Sequence, residues 1–402
     1  MFARTALIAI ALALTPLGCS DERPQHASAH TPHAVRLFLA GDVMTGRAID
    51  QILPVQSDPV LHEPNVHDAR VYLALAVNKG AQIALAVDCA AIWGDALSIL
   101  DEFAPQLRFI NLETSITTSD AFWPRKPIHY RMHPDNARCL NTAGIDLVTL
   151  ANNHVLDFDR SGLDETLDSL DSVGVRHVGA GRHRSDAAAP AIFDLDGPAR
   201  LAVFAYGMRS AGIPPDWVAT DEQSGLNWLA DLSDASFERV RDQLRKVTRN
   251  SDIVVVSLHW GGNWGYQIRS AHQTFAHRLI DEAGVDIVHG HSSHHPLGIE
   301  VYGNRLILYG SGDLLNDYEG IGHGPRFRPE LSLMYFPDVE ADTGKLLALR
   351  MVPTRIANFR VNRADAADAQ WLADMLNREG ASVGTRVAIQ PDGTLALGWN
   401  GR

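Results

Sequence analysis

Short apolar runs that stop on ligand-type polar side chains recur along this chain. Ile145–Leu150 reads as a buried strand and gives way at once to Asn152, Asn153 and His154. Val35–Ala40 delivers Gly41 and Asp42, Arg108–Leu112 delivers Glu113, and Ile253–Leu258 delivers His259. Val285–Val288 runs into a stretch containing His289, His291, His294 and His295. Between these runs, apolar residues fall at helical spacing. Ser161–Val173 carries Leu163, Leu167 and Leu170 on one face and Asp164, Glu165, Asp168 and Asp171 on the other, and Gly174 stops it. Ser233–Arg249 has Ser233 as its cap and Phe237, Val240, Leu244 and Val247 as a core stripe. Asp68–Lys79, Ala90–Leu100 (interrupted at Gly94) and Ala271–Ala283 are further helices, and Met44–Asp50 opens a short one beside Asp42.

This alternation predicts an α/β fold with a mostly parallel sheet. The C-terminal ends of parallel strands share one edge, so these polar endings converge in one crevice. Their mixed oxygen and nitrogen donors suit one or two divalent metal ions. Val175–Gly181, Ala199–Gly207 and Leu306–Tyr309 are additional strands. After the last of them, Asp313, Asn316 and Asp317 read either as partners that orient the histidines or as turn residues. From Glu330 the pattern is one of edge strands, then a helix over Ala364–Glu379 and a hairpin, Val387–Gln390 with Thr394–Leu397.

Three loops bear on chemistry. Gln51–His67, with Pro54, Pro59 and Pro64, is a substrate wall or a surface decoration. Thr117–Pro134 is the most basic and aromatic loop, with Trp123, Lys126, His129, Tyr130 and Arg131, and is a candidate for contacting an anionic or sugar-like substrate. After His259, glycines flanking Trp264 let the backbone approach a ligand, which makes Trp264 a candidate substrate contact.

At 402 residues the chain suits one large α/β domain or two. A net charge of −13 without a dense Lys/Arg run argues against a nucleic-acid partner. An anionic substrate therefore needs local positive charge, from metal or from Arg47 and Arg131. Residues 1–19 read as a signal peptide: Arg4, an apolar stretch over Ala6–Leu14, then Gly18-Cys19 as in a bacterial lipoprotein cleavage box, with Pro16 where Leu is usual. The stretch is too short to span a bilayer stably. An exported protein of the periplasm or cell envelope is expected, touching the membrane only through a lipid on Cys19. Residues 20–34, with His26, His30 and His33, are a flexible linker. Cys89 and Cys139 are expected as buried free thiols, although export permits a disulfide.

The segments Leu39–Arg47, Asn111–Glu113, Leu150–Asp157, His259–Gly261 and the stretch from His289 resemble the CapA-type family, named for poly-γ-glutamate capsule synthesis, within the calcineurin-like metallophosphoesterase superfamily. The resemblance implies a four-layer αββα sandwich over residues 35–362, with residues 363–402 a short C-terminal helix-and-hairpin extension. It implies a binuclear site with Asp42 in the first motif and Glu113 bridging the metals. Asn153 and His154 form the Asn-His motif, His259 the fourth, and His291 with His294 the last. This chain departs from the superfamily pattern in three places: it lacks Asp-x-His in the first motif, has Glu as the bridge, and has a longer final motif, so His289 competes with His294 as ligand. Manganese, zinc, iron or calcium would activate water there, with His154 as general acid and Arg47 and Arg131 pairing with substrate charge. The expected function is an exported metal-dependent hydrolase acting on an anionic polymer or small molecule: poly-γ-glutamate, cell wall or phosphoester. Two alternatives stand beside it: a metal-binding, non-catalytic assembly component, and a metal-assisted epimerase of a peptide α-carbon.

Overall fold

The structure is a computed structural model and describes residue 1 and residues 33–195, 199–321 and 326–400. The expected signal peptide with Cys19, and His26 and His30 of the linker, lie outside the described residues.

Successive residues of the strand Ala34–Val43 have opposite destinations. Val35, Leu37 and Leu39 enter one apolar cluster, and Phe38 and Ala40 another. In Arg200–Met208, Leu201, Val203 and Ala205 join the first of these clusters, whereas Ala202, Phe204 and Tyr206 enter a third. Both strands are apolar on both faces, which is why such runs read as continuous rather than alternating.

The strands form a mixed α/β fold with two large sheets. The larger has the order Thr385–Ile389, Leu395–Trp399, Leu346–Ala357, Leu331–Glu340, Ala34–Val43, Leu107–Leu112, Leu147–Thr149, Arg176–Val178. Its last four strands run parallel, and Asp313–Leu315 pairs parallel with Ala34–Val43 as well. The other sheet has Arg200–Met208, Asp252–His259, Ile287–His291 and Arg305–Leu308 as a parallel centre. One apolar cluster draws on both sheets, so it lies between them. Arg70–Asn78, Ala96–Phe103 and Asp159–Ser172 cover the outer face of the larger sheet through Tyr72, Ile99, Leu100, Leu163 and Leu167. Asp234–Arg245 and Ser270–Ala283 cover the other through Phe237, Val240, Leu244, Phe275 and Leu279.

Several expectations change. Leu331–Glu340 is not an edge strand: it pairs antiparallel with Ala34–Val43 on one side and Leu346–Ala357 on the other. Its first seven residues are buried, as an interior position requires. The C-terminal hairpin extends the same sheet through Met351 and Leu395. The helix before the hairpin, Ala366–Gly380, sends Leu372, Met375 and Leu376 into the cluster between the sheets. The helix expected from Met44 starts at Arg47, because the Met44 N–H is still bonded to the Leu315 carbonyl. Ser233 caps its helix as expected, but Val247 lies beyond the helix end and is 40% exposed. Cys89 and Cys139 are not free thiols. The short helices Cys89–Trp93 and Arg138–Thr142 pack together, the Trp93 indole N–H bonds the Cys139 carbonyl, and the two cysteines form a disulfide.

Candidate metal centre

The polar strand ends meet where the two sheets face each other. His259 and His291 are direct neighbours on adjacent parallel strands, and so are Ser257 and His289 two residues earlier. From the other sheet, Asp42 lies beside Asn111 on one strand and Asp313 on another. That approach depends on glycine: a Cβ on Gly41 would stand 2.0 Å from the Gly312 carbonyl oxygen.

Two groups of donors result, and they share Asp42. Asp42, His259 and His291 form one, and Asp42, His294 and Asp313 the other, with the ligand atoms of each group within 4.8 Å of one another. Asp42 Oδ1 lies 4.0 Å from His259 Nδ1 and 3.6 Å from His291 Nδ1. Asp42 Oδ1 accepts from the Asn111 amide at 2.7 Å. Asp42 Oδ2 is buried and has no hydrogen-bond partner among the described residues.

Hydrogen bonding fixes the imidazole tautomers. His289 Nε2 lies 2.9 Å from the Ala40 carbonyl, which only accepts, so this nitrogen carries the proton. His289 Nδ1 is then bare and accepts from the Ser257 hydroxyl at 3.1 Å. Ser257 Oγ, its hydrogen used, accepts in turn from His291 Nε2 at 2.8 Å. His259 Nε2 donates to Asn153 Oδ1 at 2.9 Å. His259 Nδ1 and His291 Nδ1 are both left as bare lone pairs, and they face each other at 2.7 Å. Two lone pairs at that distance beside a carboxylate repel unless a cation lies among them. Together with the partnerless Asp42 oxygen, this donor set fits a divalent metal ion of the kind bound by imidazole and carboxylate.

Electrostatics agree. Burial, and then the Asp313 charge, pushes the Asp42 carboxyl up to about 8. Burial followed by the Asp42 and Asp313 charges raises Glu113 well above the carboxylate range. Burial holds His259 and His291 well below the usual histidine value, so both are neutral. Burial opposes protonation of His294, but the Asp313 carboxylate 3.1 Å away overcomes it and raises the ring.

A second cluster flanks the centre. His154 Nδ1 bonds Asp157 Oδ2 at 2.7 Å, and Lys126 Nζ lies 2.7 Å from Asp157 Oδ1. Tyr130 stacks on the His154 ring at 3.8 Å. His154 Nε2 is left facing Glu113 at 3.9 Å, and His259 Nε2 lies at the same distance from that carboxylate. Burial, with Lys126 and Arg47 next in importance, holds His154 well below its ordinary value. Burial lifts Asp157 to about 6, with Lys126 pulling it back.

Asp42, Glu113, Asn153, His154, His259, His291 and His294 are therefore brought together, and Trp264 lies 5.2 Å from the His294 ring. His289 stands outside both groups, its nitrogens facing the Ala40 carbonyl and the Ser257 hydroxyl. Glu113 is not the shared carboxylate of the two groups; Asp42 is. Arg47 is committed to protein partners: it is 4% exposed, doubly bonded to Asp317, and 3.2 Å from Glu63. Arg131 is likewise committed, holding the Ser119 and Asp58 carbonyls at 3.0 and 2.8 Å. Sequence reasoning left Asp313 undecided between turn and site and passed over Ser257 and Asp157. The available signals were Asp157 three residues after His154 in the same loop and Ser257 two residues before His259 on the same strand face.

Comparison with known proteins agrees with this arrangement. Residues 36–318 match the model of the bacterial capsule synthesis protein family PGA_cap. The chain is 42% identical over 373 residues to a probable polyglutamine synthesis accessory protein of Mycobacterium tuberculosis, covering 92% of this chain and 97% of that protein. It is 28% identical over 193 residues to the capsule biosynthesis protein CapA of Bacillus anthracis, covering 48% of this chain and 45% of that one. A PGA biosynthesis protein CapA of Bacillus subtilis is 26% identical over 198 residues, 48% of each chain. With the match spanning both candidate metal groups and the Asn-His loop between them, the chain belongs to the CapA-type bacterial capsule synthesis family.

Proposed function

We propose that this protein is an exported, metal-dependent hydrolase of the cell envelope that cleaves an amide or phosphoester bond in an anionic, glutamate-rich substrate. The observation that carries the reading is the pair of facing bare nitrogens on His259 and His291 beside the partnerless Asp42 oxygen. Asp42, His259 and His291 would hold one cation, and Asp42, His294 and Asp313 a second. A bound divalent ion would supply Lewis acidity at the bond under attack. His154 handles the proton. Its Nδ1 lies 2.7 Å from Asp157 Oδ2 and 3.1 Å from Lys126 Nζ; with the Nδ1 proton donated to the carboxylate, Nε2 is the nitrogen that takes a proton from attacking water. His154 can then deliver that proton to the leaving group, so the general-acid role expected from sequence comes second.

The three separate apolar clusters support a four-layer αββα arrangement. The Cys89–Cys139 disulfide supports export to an oxidising compartment. The names of the relatives, which refer to PGA and capsule synthesis, support the substrate class.

Elemental analysis and turnover assays test the reading, using manganese, zinc or calcium with generic phosphoesters and γ-glutamyl peptides. Bound metal and turnover that disappears in His154→Ala and Glu113→Gln are expected. One observation favours the non-catalytic assembly role: Asp42, Asp313 and the three histidines of the two groups are 0–6% exposed. Tight polymer binding without turnover would decide for that role, and solvent deuterium at an α-carbon for an epimerase.

A further inference from the structure

With Arg47 and Arg131 both committed to protein partners, an anionic substrate needs another cation. A cavity of about 200 Å³ opens beside the loop that follows His259, with Trp260, Trp264, Arg269, His272 and Ser293 in its wall. Two of these residues adjoin a candidate metal ligand: Trp264 lies 5.2 Å from the His294 ring, and Ser293 immediately precedes His294. The loop runs close to His272 because it carries glycine: φ is +83° at Gly261, where a Cβ would stand 3.3 Å from His272 Cε1. A Cβ at Gly262 or Gly265 would meet nothing within 4 Å, so space is open there. Arg269 is exposed, and its guanidinium has no hydrogen bond or ion pair with any described residue. In a chain of net charge −13, a cation left unpaired in a cavity wall is available to a ligand anion. The His272 ring stacks on Trp260 at 4.5 Å, and neither of its nitrogens has a hydrogen-bond partner among the described residues. Burial, and then the Arg269 charge, pushes His272 down to about 4, so the ring is neutral and offers a single N–H. The Trp260 indole N–H is spent on the Tyr309 carbonyl, which leaves that ring as an apolar wall.

We propose that this cavity is a carboxylate-binding subsite, in which Arg269 pairs with a carboxylate of the glutamate-rich substrate and Trp264 packs on the methylene chain that carries it. The inference rests on the substrate class proposed above and deepens it. A planar guanidinium meets a carboxylate with two parallel N–H···O bonds, a geometry that an ammonium group cannot reproduce. The neutral His272 ring adds an N–H donor without adding charge. An indole offers an aliphatic chain a large, rigid apolar face.

The test uses the full chain with and without added manganese, γ-linked triglutamate as the probe, titration calorimetry for affinity and elemental analysis for metal. Arg269→Gln is expected to weaken triglutamate binding about 10-fold or more with metal content unchanged, as loss of charge-assisted hydrogen bonds implies. Arg269→Lys keeps the charge and should recover only part of that loss. Trp264→Ala should weaken binding about four-fold for each methylene the ring covers. Arg386→Gln removes an equal charge from the strand Thr385–Ile389 of the C-terminal hairpin and should leave binding within about two-fold of native. The subsite is overturned if the native protein binds no triglutamate, or if Arg269→Gln binds it within about two-fold of native. It is equally overturned if Arg386→Gln weakens binding as much as Arg269→Gln does, or if triglutamate with its α-carboxyls converted to amides binds as tightly as the acid. Triglutamate that binds through Arg269 yet is never cleaved, with or without manganese, removes the hydrolase reading and leaves the subsite standing. Cleavage with an unchanged KM in Arg269→Gln keeps the hydrolase and removes the subsite.

Discussion

Two histidine–carboxylate clusters lie side by side in this molecule and handle their charge in opposite ways. In Asp42–His259–His291 a buried carboxylate and two bare nitrogens converge with no protein cation among them. In Asp157–His154 the carboxylate has a cation of its own, Lys126, 2.7 Å away. The side-chain types are the same, and a single lysine separates a site that calls for an external ion from one that is electrically complete. The first cluster is therefore suited to binding a metal and the second to moving a proton.

The comparison breaks most severely at Asp42, which belongs to both candidate metal groups. Asp42→Asn should abolish stoichiometric metal uptake and lower any turnover by about 10³-fold or more, read by elemental analysis and kinetics. Lys126→Met probes the other side. It strands the buried Asp157 charge and should cost about 3–5 kcal/mol in urea denaturation while metal content stays native. Metal loss in this variant would show that the two clusters are not independent. A subtler change is Ser257→Ala, which cuts the relay that fixes the His291 tautomer and should weaken metal affinity about 10–100-fold with little effect on His154 chemistry. A fourth test is one of pH. The folded Asp42 carboxyl titrates at about 8 against an ordinary 3.8, so the metal-free fold keeps a proton that the unfolded chain releases. Its stability should therefore fall as pH rises from about 4 to 8, and added manganese should flatten that slope in thermal melts.

Much of this was legible from sequence because strand ends in parallel sheets are chemically distinctive. Asp42, Glu113, His154, His259 and His291 each terminate an apolar run, and topology alone carries them to one edge. What failed depended on partners far away in the chain. Arg47 looks available until Asp317, 270 residues on, claims it. His289 looks like a ligand until strand register sets it opposite Ser257 and beneath the Ala40 carbonyl. The disulfide stands second to free thiols on sequence grounds because nothing local to Cys89 or Cys139 indicates that their two helices are neighbours.

The near-contact of Gly41 with Gly312 has a consequence for how this protein can change. The spacing of Asp42 and Asp313 is set where their two strands pair. A single methyl at position 41 cannot be absorbed, because it meets a carbonyl rather than a movable side chain. The spacing of Asp42 and Asp313 is thus written in the absence of an atom, and a substitution there would part these two carboxylates without altering either side chain.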